Sequence, residues 1–97
     1  MSKVGKVRDL VRNGLYYLTE HADQEAAGDG FDIYDVEECF LHGRIRRSWP
    51  KEGKYEIAGS SLDGRAIGIV FRQTSGGKIR VITVYEDRPG KRTRKMK

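Results

Sequence analysis

The spacing of hydrophobic positions changes part-way along the chain, from a helical period to a strand period. Val4, Val7 and Leu10 recur at three-residue intervals, and this spacing predicts a first helix over residues 2–13. After Gly43, hydrophobic and polar residues alternate instead, which is typical of strands. The pattern therefore predicts helices in the first part of the chain and a sheet in the second.

Capping residues indicate where the second and third helices begin. Thr19 is suited to accept a hydrogen bond from an unpaired backbone N–H group, which predicts a helix over residues 20–27. Asp32 is suited to the same role for a helix over Ile33–His42. The short apolar stretch at residues 15–18 is compatible with either a strand or an extended linker.

Four strands are predicted after the helices, over residues 44–49, 55–60, 65–73 and 79–86. The segments between them are short, and short turns connect antiparallel neighbours. We therefore predict a single α+β domain over residues 1–87. In this domain the N-terminal helices pack on one face of a four-stranded antiparallel sheet.

Strand alternation assigns each side chain of the sheet to one of two faces. The face against the helices is assigned Tyr55, Ile57, Ile67, Ile69, Phe71, Ile82 and Val84. The opposite face is assigned Arg44, Arg46, Ser48, Glu56, Ala58, Ala66, Gly68, Val70, Arg72, Val81, Thr83 and Tyr85. The second face has small side chains in its centre and arginines around them, an arrangement suited to binding a nucleotide. An ordinary exposed face is the alternative, because a one-residue register shift exchanges every assignment.

Charge is distributed unevenly over the 97 residues, whose net charge is +5. All 14 acidic residues lie in residues 1–87 together with 13 of the 19 basic residues, so this part has a net charge of −1. The last ten residues carry +6 and no apolar pattern, and we expect them to form a disordered basic tail. A basic surface indicates a polyanionic partner such as RNA or DNA, and a merely solvated surface is the alternative.

Several classes of protein are disfavoured by composition. No apolar run approaches the 20 or so residues of a membrane span, and no signal peptide is evident, so we expect no membrane association. The single cysteine, Cys39, cannot form an internal disulfide, which favours the cytoplasm. One cysteine and two separated histidines do not make a zinc site, and we expect neither a metal nor a cofactor.

The residues that remain suit metal-free cleavage of RNA. This reaction needs a base for the ribose 2′-hydroxyl, an acid for the leaving 5′-oxygen and cations for the phosphate. Glu56 is the candidate base and Tyr85 the candidate acid or phosphate-orienting group, with Arg46, Arg65 and Arg72 as cations. Alternatively, Glu56 only pairs with Arg46 across the strands, and Tyr85 only ends the core.

Histidine and further arginines complete the candidate site. His21, one turn into the second helix, is a candidate acid–base residue, with a structural role as the alternative. The residues expected to contact RNA are Arg44, Arg46, Arg47 and Arg72 on the sheet and Arg88, Lys91, Arg92 and Arg94 in the tail.

Short motifs along the chain resemble those of a known family. They are Thr19-Glu20-His21-Ala22, Asp35-Val36, Gly43, Gly59, Gly64-Arg65 and Val81-Ile82-Thr83-Val84-Tyr85. The T-x-H-A helix start and the V-I-T-V-Y sequence of the last strand resemble the motifs of a small prokaryotic domain of unknown function. That domain looks related to the RelE, BrnT and MqsR-like toxins.

The resemblance implies a RelE-like fold and a toxin of a type II toxin–antitoxin system. Such a toxin is an endoribonuclease that cleaves mRNA, free or on the ribosome, and is held inactive by a cognate antitoxin. Arg65 and Tyr85 stand where these toxins place phosphate-contacting groups. Glu25 and Asp29 depart from the pattern, because relatives often carry arginines there. A non-catalytic module that binds nucleic acid or protein is the alternative function.

Overall fold

The computed structural model describes residues 3–87, which form three helices followed by most of a sheet. The helices are α1 (Lys3–Arg12), α2 (Glu20–Gly28) and α3 (Ile33–His42). The strands are β1 (Tyr16–Leu18), β2 (Arg44–Trp49), β3 (Lys54–Ser60), β4 (Ala66–Gln73) and β5 (Ile79–Glu86). A 3-10 turn, Pro50–Glu52, joins β2 to β3. The predicted α+β class is confirmed.

The sheet has five strands in the order β1-β5-β4-β3-β2, and it is mixed rather than purely antiparallel. β2 to β5 form the predicted antiparallel meander, but β1 adds a fifth strand, parallel to β5. The prediction of a four-stranded antiparallel sheet is therefore wrong in strand number and in type. A three-residue strand is too short to show alternation, and a parallel pair has no connecting turn to reveal it.

The two predicted helix caps are confirmed. The Thr19 hydroxyl accepts a hydrogen bond from the backbone N–H of Ala22 at 3.1 Å. The Asp32 carboxylate accepts from the backbone of Asp35 at 3.1 Å, and the Asp35 carboxylate accepts from the backbone of Asp32 at 2.9 Å. These local bonds satisfy N–H groups that have no partner inside a helix, so they fix the starts of α2 and α3.

All three helices pack on one face of the sheet. The buried apolar residues there include Val7, Ala22, Val36, Phe40, Ile57, Ile69, Phe71, Val81 and Val84. Phe40 of α3 meets Phe71 of β4 edge to face, with ring centroids 5.2 Å apart. The other sheet face is not covered by any described helix, and we call it the open face.

Two β-bulges change which side chains reach the open face. At the first, Ile45 pairs with Ile57 and Arg47 pairs with Glu56, so Arg46 is the extra residue of β2. Beyond this bulge the alternation reverses, because two residues of one strand face a single partner. Arg47 and Trp49 therefore lie on the open face, whereas Ser48 lies on the helix side, contrary to the prediction for Ser48.

The second bulge is in β5. Phe71 pairs with Val81 and Val70 pairs with Thr83, which leaves Ile82 as the extra residue. Val81 is fully buried in the core, and Ile82 is only half-buried. The predicted positions of Val81 and Ile82 are therefore exchanged, since the bulge shifts the alternation by one residue.

No helix among residues 3–87 has the length and apolar content that a membrane crossing requires.

Candidate functional site

A cluster of polar side chains lies near one end of the open face. Arg46 from β2, Glu56 from β3 and Tyr85 from β5 converge there, with Asp87 just beyond the end of β5. The Tyr85 hydroxyl donates to Glu56 Oε2 at 2.5 Å, and Arg46 Nε donates to the same oxygen at 3.0 Å. Arg46 Nη1 donates to Asp87 Oδ2 at 2.6 Å. We call these four residues the Arg46–Glu56 cluster.

Gly68 allows Tyr85 to reach Glu56 across the intervening strand β4. Gly68 and Tyr85 are cross-strand partners, and the Tyr85 ring lies directly over the glycine. A Cβ atom at position 68 would overlap Tyr85 Cζ, closer than any real contact allows. The glycine is therefore needed for space rather than for backbone freedom.

The bulge at Arg46 explains how two consecutive arginines flank Glu56. In a regular strand Arg46 and Arg47 would point to opposite faces, but at a bulge both oppose the same partner residue. Arg46 reaches over to bind Glu56, while Arg47 is the direct cross-strand partner of Glu56 and is exposed. Bulges are frequent next to active sites because they redirect side chains in this way.

Burial and hydrogen bonding together keep Tyr85 and Arg46 of the cluster protonated. Only 5% of Glu56 and 8% of Tyr85 is exposed. Burial, and then the hydrogen bond to Glu56, raises the pKa of Tyr85 well above its usual value, so the phenol remains a proton donor. Burial alone would lower the pKa of Arg46, but its bonds to Asp87 and Glu56 raise it overall, so the guanidinium remains charged.

All the hydrogen bonds that Glu56 accepts within the cluster go to one of its two oxygens. Arg46 donates to Oε2 through both Nε and Nη2, and Tyr85 donates to Oε2 as well. Within the described part of the chain, no hydrogen bond reaches Oε1. The cluster thus holds a carboxylate in a fixed orientation with one oxygen available to accept a proton.

A row of aromatic and cationic side chains crosses the open face near its other end. Because cross-strand partners share a face, the strand register defines the row from one edge of the sheet to the other. From β1 to β2 it contains Tyr17, Arg80, Arg72, Lys54 and Trp49. Lys54 Nζ lies over the Trp49 ring, 5.0 Å from its centroid. We call these five residues the cationic row.

The cations of the open face are incompletely neutralised. Within residues 3–87, no carboxylate lies within ion-pair distance of Arg44, Arg47, Arg72 or Arg80. Arg72 and Arg80 are direct cross-strand partners, and like charges so placed destabilise a sheet by roughly 0.2–1 kcal/mol. An anionic ligand would offset this cost.

Comparison with known protein families places most of the chain in a family. Residues 18–86 match the family described as Domain of unknown function (DUF4258). The chain belongs to this family. The match begins within β1 and includes Arg46, Glu56 and Tyr85, while α1 lies outside it. No curated protein and no solved structure matches the chain.

Membership of DUF4258 confirms the resemblance to a domain of unknown function. The family description states no activity, so the relation to the RelE, BrnT and MqsR-like toxins stays a prediction. The predicted base and acid, Glu56 and Tyr85, lie together in this domain, with the predicted cation Arg46 between them.

Arg65 is not brought to the Arg46–Glu56 cluster. Its guanidinium donates to the backbone carbonyls of Asp29 and Gly30, at 2.7 and 2.9 Å, and lies 4.3 Å from the centroid of the Phe31 ring. These partners are in the α2–α3 connection on the helix side, whereas Tyr85 lies over Gly68 on the open face. The contacts of Arg65 hold that connection against the start of β4.

His21 is also separate from the cluster. It is exposed on α2, and its Nε2 lies 3.1 Å from Glu25 Oε2, one helical turn further on. Its partner Glu25 belongs to the same helix and not to the Arg46–Glu56 cluster.

The departures at Glu25 and Asp29 have a structural explanation. β1 ends beside Val81, so among residues 3–87 the rest of β5 has no neighbouring strand on that side. Glu25 Oε1 accepts from the backbone N–H of Val84 at 3.1 Å, and Asp29 Oδ2 accepts from that of Glu86 at 2.9 Å. The two carboxylates therefore complete the free edge of β5, which arginines could not do because they have no acceptor.

The remaining predicted contacts are on the sheet or in the tail. Arg44, Arg46, Arg47 and Arg72 all lie on the open face, while Arg88, Lys91, Arg92 and Arg94 fall outside the described residues. The described residues include no group of three or more His, Cys, Asp or Glu that could hold a metal ion. Sequence reasoning missed Asp87 and most of the cationic row, whose grouping depends on the strand register.

Proposed function

We propose that the protein is a metal-independent endoribonuclease whose active site is the Arg46–Glu56 cluster. The observation that carries this proposal is the hydrogen bond from Tyr85 to Glu56, made across β4 on a face where several arginines have no ion-pair partner among residues 3–87. A fixed carboxylate beside a phenol supplies a base and an acid in contact. The neighbouring cations supply what a phosphate-bound transition state requires.

In the proposed reaction, Glu56 Oε1 removes the proton from a ribose 2′-hydroxyl. The 2′-oxygen attacks the adjacent phosphorus, and the bond from phosphorus to the 5′-oxygen breaks. Tyr85 donates its proton to the departing 5′-oxygen, which leaves a 2′,3′-cyclic phosphate on the other product. The proton on Glu56 Oε1 then passes to solvent, and the Tyr85 phenolate takes up a proton from solvent, so the site is restored.

Arg46 and Arg47 have different roles in this proposal. Arg46 is already bound by Glu56 and Asp87, and it orients the base and stabilises the phenolate that forms at Tyr85. Arg47, the exposed partner opposite Glu56, binds the phosphate under attack. Arg44, two residues before Arg46 on the same strand, supplies a further contact to the RNA backbone.

We further propose that the protein acts as the toxin of a type II toxin–antitoxin system with a RelE-like fold. Its substrate would be mRNA, free or on the ribosome, and a cognate antitoxin would bind it until release. The resemblance of its motifs to toxin families supports this biological role, and the basic open face supports an RNA substrate.

The chemical part is tested with purified protein and a labelled single-stranded RNA in excess EDTA. We expect cleavage to a 2′,3′-cyclic phosphate, and Glu56→Gln and Tyr85→Phe should each lower the rate by about 10²- to 10⁴-fold. Glu20→Gln, an exposed glutamate of α2, is the matched control and should cleave at the wild-type rate. Equal rates in Glu56→Gln and wild type, both shown to be folded, would exclude Glu56 as the base.

The biological part is tested by inducible expression in a bacterial host. Wild-type protein should arrest growth, Glu56→Gln should not, and co-expression of the antitoxin should restore growth. Healthy growth at high levels of soluble wild-type protein would contradict the toxin role.

A non-catalytic nucleic-acid-binding module is the second candidate, and one observation favours it. The Arg46 guanidinium is neutralised by two carboxylates, so the cluster is a satisfied network that ties β2, β3 and β5 together. On this view, Glu56→Gln lowers thermal stability and leaves nucleic-acid binding unchanged. RNA would then stay intact with the wild-type protein as well.

A further inference from the structure

The cationic row carries an inference about the form of nucleic acid that binds the open face. We propose that a single strand lies across the sheet along this row, with phosphates on Arg80, Arg72 and Lys54. Unpaired bases at the two ends stack on Trp49 and Tyr17. The inference rests on the proposed function in one respect, because it identifies single-stranded nucleic acid as the substrate of the nuclease. Binding to the row can still be measured without cleavage.

The length of the row suits a short stretch of single strand. Neighbouring strands are about 4.8 Å apart, so five strands place Tyr17 and Trp49 roughly 19 Å from each other. This length corresponds to a short single strand of about 4 nucleotides. Site sizes on OB folds, which also bind single strands on a sheet, begin at about 4 nucleotides. The three cations between the aromatic residues occupy three consecutive strands, which lets one backbone follow them.

The aromatic residues at the ends make the row selective for unpaired bases. A row of cations alone would bind any polyanion, because phosphate contacts carry no information about base pairing. Base faces are accessible for stacking on aromatic side chains only where the strand is unpaired. Trp49 and Tyr17 therefore distinguish a single strand from a duplex of the same charge.

The surroundings of Trp49 leave space for a base. A cavity of about 420 Å³ opens beside it, lined by Ser48, Trp49, Pro50, Lys51 and Glu52. This volume is within the usual range for small-molecule sites. Lys54 Nζ lies 3.3 Å from Glu52 Oε1, and the phosphate that adjoins a stacked base would replace this exposed carboxylate as its partner.

Tyr17 occupies the opposite edge of the sheet. It is 43% exposed, and its neighbour Tyr16 turns to the helix side, where its hydroxyl donates to Glu37. The phenol of Tyr16 is thus used within the fold, whereas the ring of Tyr17 is presented on the open face.

The row also lies beside the proposed active site. Lys54 is two residues before Glu56 on β3, a distance of about 7 Å along the strand. A single strand held on Lys54 therefore passes next to Glu56. The proposed contacts are to phosphates and bases and not to the ribose 2′-hydroxyl. Single-stranded DNA should therefore bind as well as RNA, and it should remain uncleaved because it lacks that hydroxyl.

Trp49 allows a direct test because it is the only tryptophan of the chain. Its fluorescence is followed while single-stranded DNA, single-stranded RNA or duplex of equal charge is added to the wild-type protein. We expect quenching by both single strands with similar affinity and weaker binding without quenching by the duplex. With three phosphate contacts, the slope of log affinity against log salt should be about −2.

Variants then separate charge from stacking. Arg72→Gln/Arg80→Gln should reduce the size of the salt slope by about 1.4, while Lys6→Gln/Arg12→Gln on α1, with the same charge change, should leave it unaltered. Trp49→Leu should weaken binding of a labelled single strand by about 5- to 150-fold. Tyr34→Leu, an exposed aromatic residue on α3, should have no effect.

The outcomes distinguish this inference from the proposed nuclease. Cleavage of RNA with Trp49 unquenched, or a duplex that binds as tightly as a single strand, would overturn the row as a single-strand site while the nuclease stands. Quenching by DNA and RNA without cleavage would support the row and remove the nuclease. If the protein binds an acidic protein but neither single strand, with no change in Trp49 fluorescence on addition of nucleic acid, the inference is wrong.

Discussion

The two ends of the open face contain similar residues but differ in how their charges are balanced. At one end, Arg46 is bound by Glu56 and Asp87, and Tyr85 completes a network with little exposure. At the other end, Arg72 and Arg80 lie side by side, without a carboxylate in reach among the described residues. A cation neutralised within the fold orients other groups, whereas an unneutralised one is available to bind an anion.

The difference follows from strand register rather than from residue type. Arg46 and Arg47 are adjacent in sequence and both oppose Glu56 at the bulge, yet only Arg46 forms hydrogen bonds with it. Arg72 and Arg80 become neighbours only because β4 and β5 are paired in one register. The position of a cation in the sheet thus determines whether it supports a site or binds a ligand.

The largest expected effect comes from filling the space under Tyr85. Gly68→Ala would push the Tyr85 ring away from Glu56, so RNA cleavage should fall by about 10²-fold or more. The free energy of unfolding should fall by about 1–3 kcal/mol from overpacking. Gly76→Ala is the matched control, since its Cβ would meet only Thr74 Oγ1 at 3.8 Å. An active Gly68→Ala protein would show that the Tyr85–Glu56 contact is not needed for cleavage.

Arg65 tests whether an arginine outside both ends of the open face serves only the fold. Arg65→Ala removes two hydrogen bonds to backbone carbonyls and the contact with Phe31, so the free energy of unfolding should fall by about 2–3 kcal/mol. Chemical denaturation measures this loss. Quenching of Trp49 by a single strand should be unchanged below the unfolding transition. Weaker binding of the single strand by the folded variant would instead show that Arg65 contacts nucleic acid.

Alkaline pH should affect the cluster end of the face. Since the pKa of Tyr85 is raised in the folded protein, the unfolded chain loses this proton first, near pH 10, and stability falls as the pH rises further. One such group contributes a slope of about 1.4 kcal/mol per pH unit. Tyr85→Phe should reduce the loss of stability between pH 10 and 11 by the share of this one phenol, because the pKa values of Tyr16 and Cys39 are raised as well, and Arg72→Gln should leave the loss unchanged. An unchanged slope in Tyr85→Phe would mean that the phenol is not held in its protonated form.

The smallest expected effect has the opposite sign. Arg72→Gln removes the repulsion between Arg72 and Arg80, so the free energy of unfolding should rise by about 0.2–1 kcal/mol while affinity for a single strand falls. Denaturation curves and Trp49 titrations of the same sample measure both quantities. A variant that loses stability and binds normally would indicate that the row serves the fold.

Much of the fold could be predicted because the signals for it are local. Helical spacing, the caps at Thr19 and Asp32, and the change of period after Gly43 each lie within a few residues of the element they define. Three helices, four of the strands and the α+β class follow from such signals. The pairing of Glu56 with Arg46 was also within reach, because adjacent antiparallel strands bring such partners together.

The remaining features depended on tertiary structure. β1 exists because β5 has a free edge there, and Glu25 and Asp29 satisfy the rest of that edge. The two bulges reassigned several side chains between the faces, and the register then grouped residues from all five strands into one row. These features arise from pairing between residues far apart in sequence. The alternation within one strand does not show where a bulge will insert an extra residue, because a bulge is defined by the register with the neighbouring strand.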